Sequence, residues 1–144
     1  MNNFRAFTLV AMLLSVASPL AAQEVYPNRP VRMIVSFPPG GVVDLVARTL
    51  GAMMQDSIGQ SVVIDNRPGG ASIIATELAA KAKADGYTLY MATDGPYVIN
   101  PFIFDKLPYD PERDLVPIVS ASDSFLAIAV TAALNIDSLG ALQK

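Results

Sequence analysis

Apolar positions along this chain form short continuous runs, each closed by a Gly- or Pro-rich turn and followed by a longer stretch at helical spacing. Residues 31–37 are the first run, with Arg32 and Ser36 interrupting Val31, Met33, Ile34, Val35 and Phe37. Such a run suits a parallel strand covered on both faces, with Arg32 near an end or an edge. From Val42 the period changes: Val43, Val46, Leu50, Met53, Met54 and Ser57 share one stripe. This predicts a helix over 42–58 with Gly59 as its left-handed terminator and the methionines as core filler. A second strand is expected over 61–65, then the turn Asn66-Arg67-Pro68-Gly69-Gly70. An Ala-rich helix over 71–84 follows, burying Ile73, Ile74 and Leu78, with Lys81 and Lys83 complementing its dipole. Asp85-Gly86 stops it, residues 87–92 form the third strand, and Thr93-Asp94-Gly95 turns into a short helix begun by Pro96.

Three strand-turn-helix units in succession call for α/β architecture: a parallel sheet with right-handed crossovers and flanking helices. The three loops at 38–44, 66–71 and 93–95 then share the C-terminal edge of one sheet, where open α/β sheets bind ligands. The first loop, Pro38-Pro39-Gly40-Gly41, delivers the chain into a helix whose first amides have no intrahelical acceptor. Those amides stand at the positive end of the helix dipole and favour an anion. Gly40 and Gly41 let a ligand approach the main chain closely.

Beyond Asn100 the character changes. Residues 100–111 are rich in proline and aromatic side chains, and Glu112-Arg113-Asp114 reads as a solvated turn. Two further strands are expected over 115–120 and 125–130, separated by Ala121-Ser122-Asp123-Ser124. Asp137 or Ser138 caps a helix from Leu139, which reaches only about two turns before Lys144 and is marginal at that length. The expected organisation is a signal segment over 1–22, a first α/β lobe over 23–121, and hinge strands with the start of a second lobe over 122–144. On this reading the sequence is a truncated piece of a longer two-lobed protein.

The N-terminus carries Arg5, then an uncharged apolar core from Ala6 to Val16, then Ser18-Pro19-Leu20-Ala21-Ala22. This is the pattern of a secretory signal peptide cleaved after Ala22, and the run is shorter than the ~20 residues that span a bilayer. The formal net charge of the 144 residues is −3, and loss of Arg5 makes it more negative. That balance argues against nucleic acid and anionic lipid as partners, yet a local cluster of amide dipoles still suits a small anion. With no Cys and no His, the chain lacks a disulfide scaffold, the usual zinc ligands and a Ser-His-Asp triad, and it has no Gly-x-Ser-x-Gly elbow. Neither enzyme activity, nor a cofactor, nor a metal is expected.

The ordered blocks Tyr26-Pro27-Asn28-Arg29-Pro30-Val31-Arg32, Phe37-Pro38-Pro39-Gly40-Gly41 with Asp44, Val62 to Gly70, Asp85-Gly86-Tyr87-Thr88-Leu89, Asn100-Pro101 and Leu107-Pro108-Tyr109-Asp110-Pro111 with Arg113-Asp114 resemble one family. It is that of the tripartite tricarboxylate transporter receptors, the Bug family of periplasmic solute-binding proteins. The resemblance covers the mature chain nearly end to end. It implies the type II periplasmic-binding-protein fold, here the first lobe plus the start of the second, and family members are roughly twice as long. It also implies a periplasmic location, capture of a small organic carboxylate (a di- or tricarboxylate, an amino acid or an aromatic acid) and delivery to membrane permease subunits. By the same resemblance, Gly40, Gly41, Val42 and Asp44 anchor a ligand carboxylate through amides and ordered waters, while Thr93, Gly95 and Asn100 line the cleft. Gly69 and Gly70 lie near it.

Two departures bear on specificity. Val42 or Val43 stands where the family usually has a hydroxyl or a proline, which removes a side-chain donor. Asp94 stands where a small or apolar residue is usual. Pointing into the cleft, it would disfavour a tricarboxylate and favour a ligand with a positive or neutral group. Pointing away, the expected case, it caps the following helix. Asp44 cannot pair directly with a carboxylate. It can bridge through water, hold the loop, meet an ammonium or amide group on a ligand, or simply favour the first helical turn. Two other readings share the scaffold: a sensor that presents bound ligand to a membrane kinase, and a truncated fragment that offers half a cleft and no function.

Overall fold

A computed structural model describes residues 25–123, 127–134, 136 and 138–142. The expected signal segment lies outside them. Three parallel strands, β1 (Val31–Val35), β2 (Val62–Asn66) and β3 (Thr88–Met91), form a sheet in the order β2-β1-β3. Val31 pairs with Val62 and Arg32 with Thr88, so β1 lies in the centre. Val31, Met33, Ile34 and Val35 are buried there, which explains the nearly unbroken apolar run. Arg32, second in the strand, turns to Asp65 and Asp65 also receives Arg67.

Helix α1 (Val42–Ile58) covers one face, where Ala47 meets Met33 and Val35. Gly59 ends it at φ 68 with its amide on the Gln55 carbonyl, as the sequence predicts. A Cβ on Gly51 would touch Ile64 Cδ1 and Val62 Cγ1 at 3.4 Å, so glycine lets the helix lie close to β2. The buried stripe runs through Asp44, Ala47 and Gly51 rather than through Met53 and Ser57. Met53 is 64% exposed. Small residues set the contact because the helix sits so near the strand.

The same geometry corrects the second helix. It spans Ile73–Ala80 (α2), not 71–84, because Ala71 (φ 50) and Ser72 (φ 68) are left-handed and cannot join an α-helix. A 3₁₀ turn at Gly70–Ser72 precedes it. Ala75 and Thr76 face the sheet, whereas Ile74 is 55% exposed and Leu78 also reaches the surface. The residues after β3 form a single wide turn, Gly95–Ile99, whose closing bond runs from the Asn100 amide to the Gly95 carbonyl. Helix α3 (Asn100–Ile103) follows.

Residues 115–120 form no strand, nor do 127–130, and Phe125 and Leu126 lie outside the described residues. Val116 is 86% exposed, with Ile118 and Val119 similar. The apolar pattern is that of a strand, but a strand needs a neighbour to satisfy its amides, and Pro117 removes one donor. Short helix α4 (Leu139–Leu142) begins with the Ala141 amide on Ser138 Oγ.

Candidate binding edge and family membership

The loops after β1, β2 and β3 meet at one edge of the sheet. The Ser36 amide bonds the Met91 carbonyl at 3.3 Å and the Arg67 amide bonds the Val35 carbonyl at 2.7 Å, so the strands leave the sheet side by side. In the first loop Gly40 takes φ 84, which favours glycine. Gly41 is extended and leads into α1. Asp44, third in the helix and 3% exposed, reaches back across this turn. Its Oδ2 accepts the Gly40 amide at 2.9 Å and Arg48 Nε at 2.9 Å, while its Oδ1 accepts Asn66 Nδ2 at 2.9 Å. Asn66 Nδ2 also donates to the Phe37 carbonyl at 3.0 Å.

Asp44 therefore holds the loop with every carboxylate oxygen engaged. The Arg48 hydrogen bond, then the Gly40 amide and the Asn66 amide, keep its carboxyl far below the ordinary carboxylate range against the opposing effect of burial. Gly40 donates to Asp44, and the amides at this helix start that lack an intrahelical acceptor are those of the first turn, where Gly41 and Val42 are exposed residues. At this turn the arrangement can bind an anion by main-chain dipoles, because the Asp44 carboxylate beside it is fully engaged.

Thr93, exposed, and Gly95 stand beyond the end of β3, the strand paired with β1. Asp94 makes no side-chain cap, contrary to the sequence expectation. Its backbone carbonyl accepts the Tyr97 and Val98 amides at 2.9 and 2.8 Å, and the carboxylate is exposed. With its backbone already helical, the side chain cannot fold back as a cap does. Asn100 turns inward. It is 4% exposed and its Nδ2 donates to the Ala71 carbonyl at 2.9 Å and to Tyr109 Oη at 3.3 Å. Tyr109 in turn donates to the Pro96 carbonyl at 3.0 Å. Between loops two and three, Thr76 Oγ1 donates to the Ser72 carbonyl and shares a 2.7 Å bond with the Tyr90 hydroxyl. Burial pushes the Tyr90 phenol up.

Sequence reasoning missed Arg48, Asn66, Thr76, Tyr90 and Tyr109. The spacing of Arg48 four residues after Asp44 was the legible signal for one of them. Among the described residues no group of His, Cys, Asp and Glu side chains converges as a metal site, and no helix is long and apolar enough to cross a membrane.

A parallel sheet flanked by helices, with glycine-rich loops at the ends of its strands, defines the class of open α/β lobes. Among the solved structures it resembles is one described as a periplasmic transporter, 41% identical with a TM-score of 0.56, over 60% of this chain and 29% of that one. MatC from Rhodopseudomonas palustris with bound malate is 36% identical with a TM-score of 0.59, over 62% of this chain and 30% of that one. An R. palustris protein solved with adipate is 40% identical with a TM-score of 0.58, over 60% and 29%. Residues 46–142 match the family described as tripartite tricarboxylate transporter family receptor, and the chain belongs to that family. BugT of Bordetella pertussis is 39% identical over 146 residues, 99% of this chain and 44% of BugT. A protein from the tcbD-tcbE intergenic region of Pseudomonas sp. strain P51 is 40% identical over 119 residues, 82% of this chain and 35% of the relative. The chain thus spans less than half the length of either.

Proposed function

We propose that this chain is the carboxylate-anchoring lobe of a periplasmic receptor that captures a small organic carboxylate for the permease subunits of a tripartite transporter. Residues 1–22 direct export, residues 23–121 make up the first lobe, and residues 122–144 begin the second. The observation that carries the reading is the Gly40-Gly41 turn, which leads from the central strand into the start of α1 and is held by Asp44, itself ion-paired with Arg48. Gly41 and Val42 supply amides to one ligand carboxylate, and Asp44 acts through the loop. Thr93 and Gly95 form the neighbouring wall, with Asn100 behind them. Relatives of the same fold were solved with adipate and with malate, which favours a dicarboxylate.

A panel of mono-, di- and tricarboxylates including adipate and malate, followed by thermal shift and calorimetry, tests this. Ligand at about 100 times Kd adds about 2.7 kcal/mol of stability. Gly41→Val should remove the gain and leave the apo protein folded, because Gly41 has ordinary φ and a Cβ there meets only the Pro38 carbonyl at 3.6 Å. No shift with any member of the panel would refute carboxylate capture by this chain.

A further inference from the structure

Gly69, Gly70, Ala71 and Ser72 are four consecutive residues with positive φ, of 114°, 56°, 50° and 68°. Two of them carry a Cβ, and left-handed backbone is unfavourable for such residues. A strained turn of this kind persists only where its surroundings over-determine it. Within the turn the Ser72 amide reaches the Gly69 carbonyl at 3.0 Å and the Ile73 amide reaches the Gly70 carbonyl. From outside, the Asn100 carboxamide holds the Ala71 carbonyl from 29 residues away.

We infer that Asn100 is a positioning residue for the binding edge, fixing the left-handed Gly69–Ser72 turn through Ala71 and locking the second loop to the third. Asn100 is suited to this because its own place is fixed twice over. Its backbone amide closes the Gly95–Ile99 turn, and Tyr109 joins the side chain to the Pro96 carbonyl. The Gly70–Ser72 turn packs against Gly95–Ile99, so displacement of one loop must move the other. On the first side of the edge Asn66 makes the corresponding tie, from the end of β2 to Phe37 and Asp44. Two asparagines thus brace three loops before any ligand arrives, which lowers the ordering cost of binding. This inference rests on the carboxylate-capture reading for its purpose, but not for its test.

The test is Asn100→Ala, with and without Ala71→Gly, read by amide hydrogen exchange in the whole chain and by adipate titration. Asn100→Ala should speed exchange at Ser72 and Ile73 by about tenfold or more while leaving β1 protected, as local rather than global opening does. Ala71→Gly should restore most of that protection in the double variant, because glycine holds φ 50 without strain. Unchanged exchange at Ser72 and Ile73 in Asn100→Ala overturns the inference, as does a loss spread evenly over the sheet. If Asn100→Ala alone does not fold, the double variant must regain a cooperative transition, and its failure to do so also overturns the inference. Adipate affinity should fall and recover with the exchange. If the parent shows the exchange pattern but binds no carboxylate, the brace stands and the receptor reading falls.

Discussion

Replacement of Thr76 by Val isolates the polar contact that joins α2 to β3. The side chain is fully buried, and valine keeps its shape while removing one hydroxyl. That hydroxyl donates to the Ser72 carbonyl and meets the Tyr90 hydroxyl, each at 2.7 Å. A net hydrogen bond contributes about 0.5–1.5 kcal/mol, and a buried partner left unsatisfied costs about 1–3 kcal/mol. Tyr90 is only half-buried and regains some hydration, so the lower part of that range applies to it. The expected loss is about 2 kcal/mol in all, which for a domain of this size lowers Tm by roughly 8–16 °C. Tyr90→Phe removes only the second bond and should cost about 1 kcal/mol. The double variant should lose clearly less than the two losses added, because the two groups share one bond. Circular dichroism melts of the four proteins decide it. A Thr76→Val protein that melts within about 2 °C of the parent, or strictly additive losses, would refute the assignment of this pair as a structural link.

Two other outcomes follow from the same geometry. Asp44, Asp65 and Asp114 all have carboxyl groups held below their ordinary value, Asp44 and Asp114 first by arginine hydrogen bonds. At Asp65 burial works the other way but Arg32 and Arg67 outweigh it. Groups depressed in the folded state contribute their full stability above the unfolded value near pH 4 and lose it as pH falls toward the folded value. Tm should therefore be flat from pH 7 to about 5 and fall steeply below about pH 4, with a shallower fall in Asp44→Asn. Gly51→Ala should be close to neutral, since a Cβ at 3.4 Å from Val62 and Ile64 is offset by a helix-propensity gain of about 1 kcal/mol. Gly51→Val has no room and should cost about 1–3 kcal/mol in a chemical denaturation series.

The parts of the fold legible in the sequence were those set by local chemistry. The run at 31–37, the period change at Val42 and the glycine at 59 each name their own structure, and the strand-end loops follow from order alone. What the sequence did not disclose depends on distance between elements. Nothing in the period of residues 71–84 says that α2 approaches closely enough to need Ala75 and Thr76 inside and Ile74 outside. Two left-handed residues without glycine at Ala71 and Ser72 carry no sequence signal, because Asn100 and Thr76 stabilise them from elsewhere. Residues 115–120 read as a strand for a good reason, yet strand pattern without a partner leaves Val116 and Ile118 exposed.

A carboxylate in the anchor loop and an anionic ligand look incompatible by charge, and so does a chain with a net charge of −3. Geometry separates the two problems. The Asp44 charge is opposed by Arg48 and shared among three donors, so its field at the helix start is largely cancelled over the few ångströms that matter. Surface charges farther away are screened within about 8–10 Å. What remains at the start of α1 is the dipole of the helix, behind the Gly40-Gly41 turn. Asp44 makes that possible by holding the turn, and an alanine there would free the Gly40 amide yet release the loop that aims the others. On the proposed reading, the acidic residue at this edge serves an anion by holding the turn rather than by touching it.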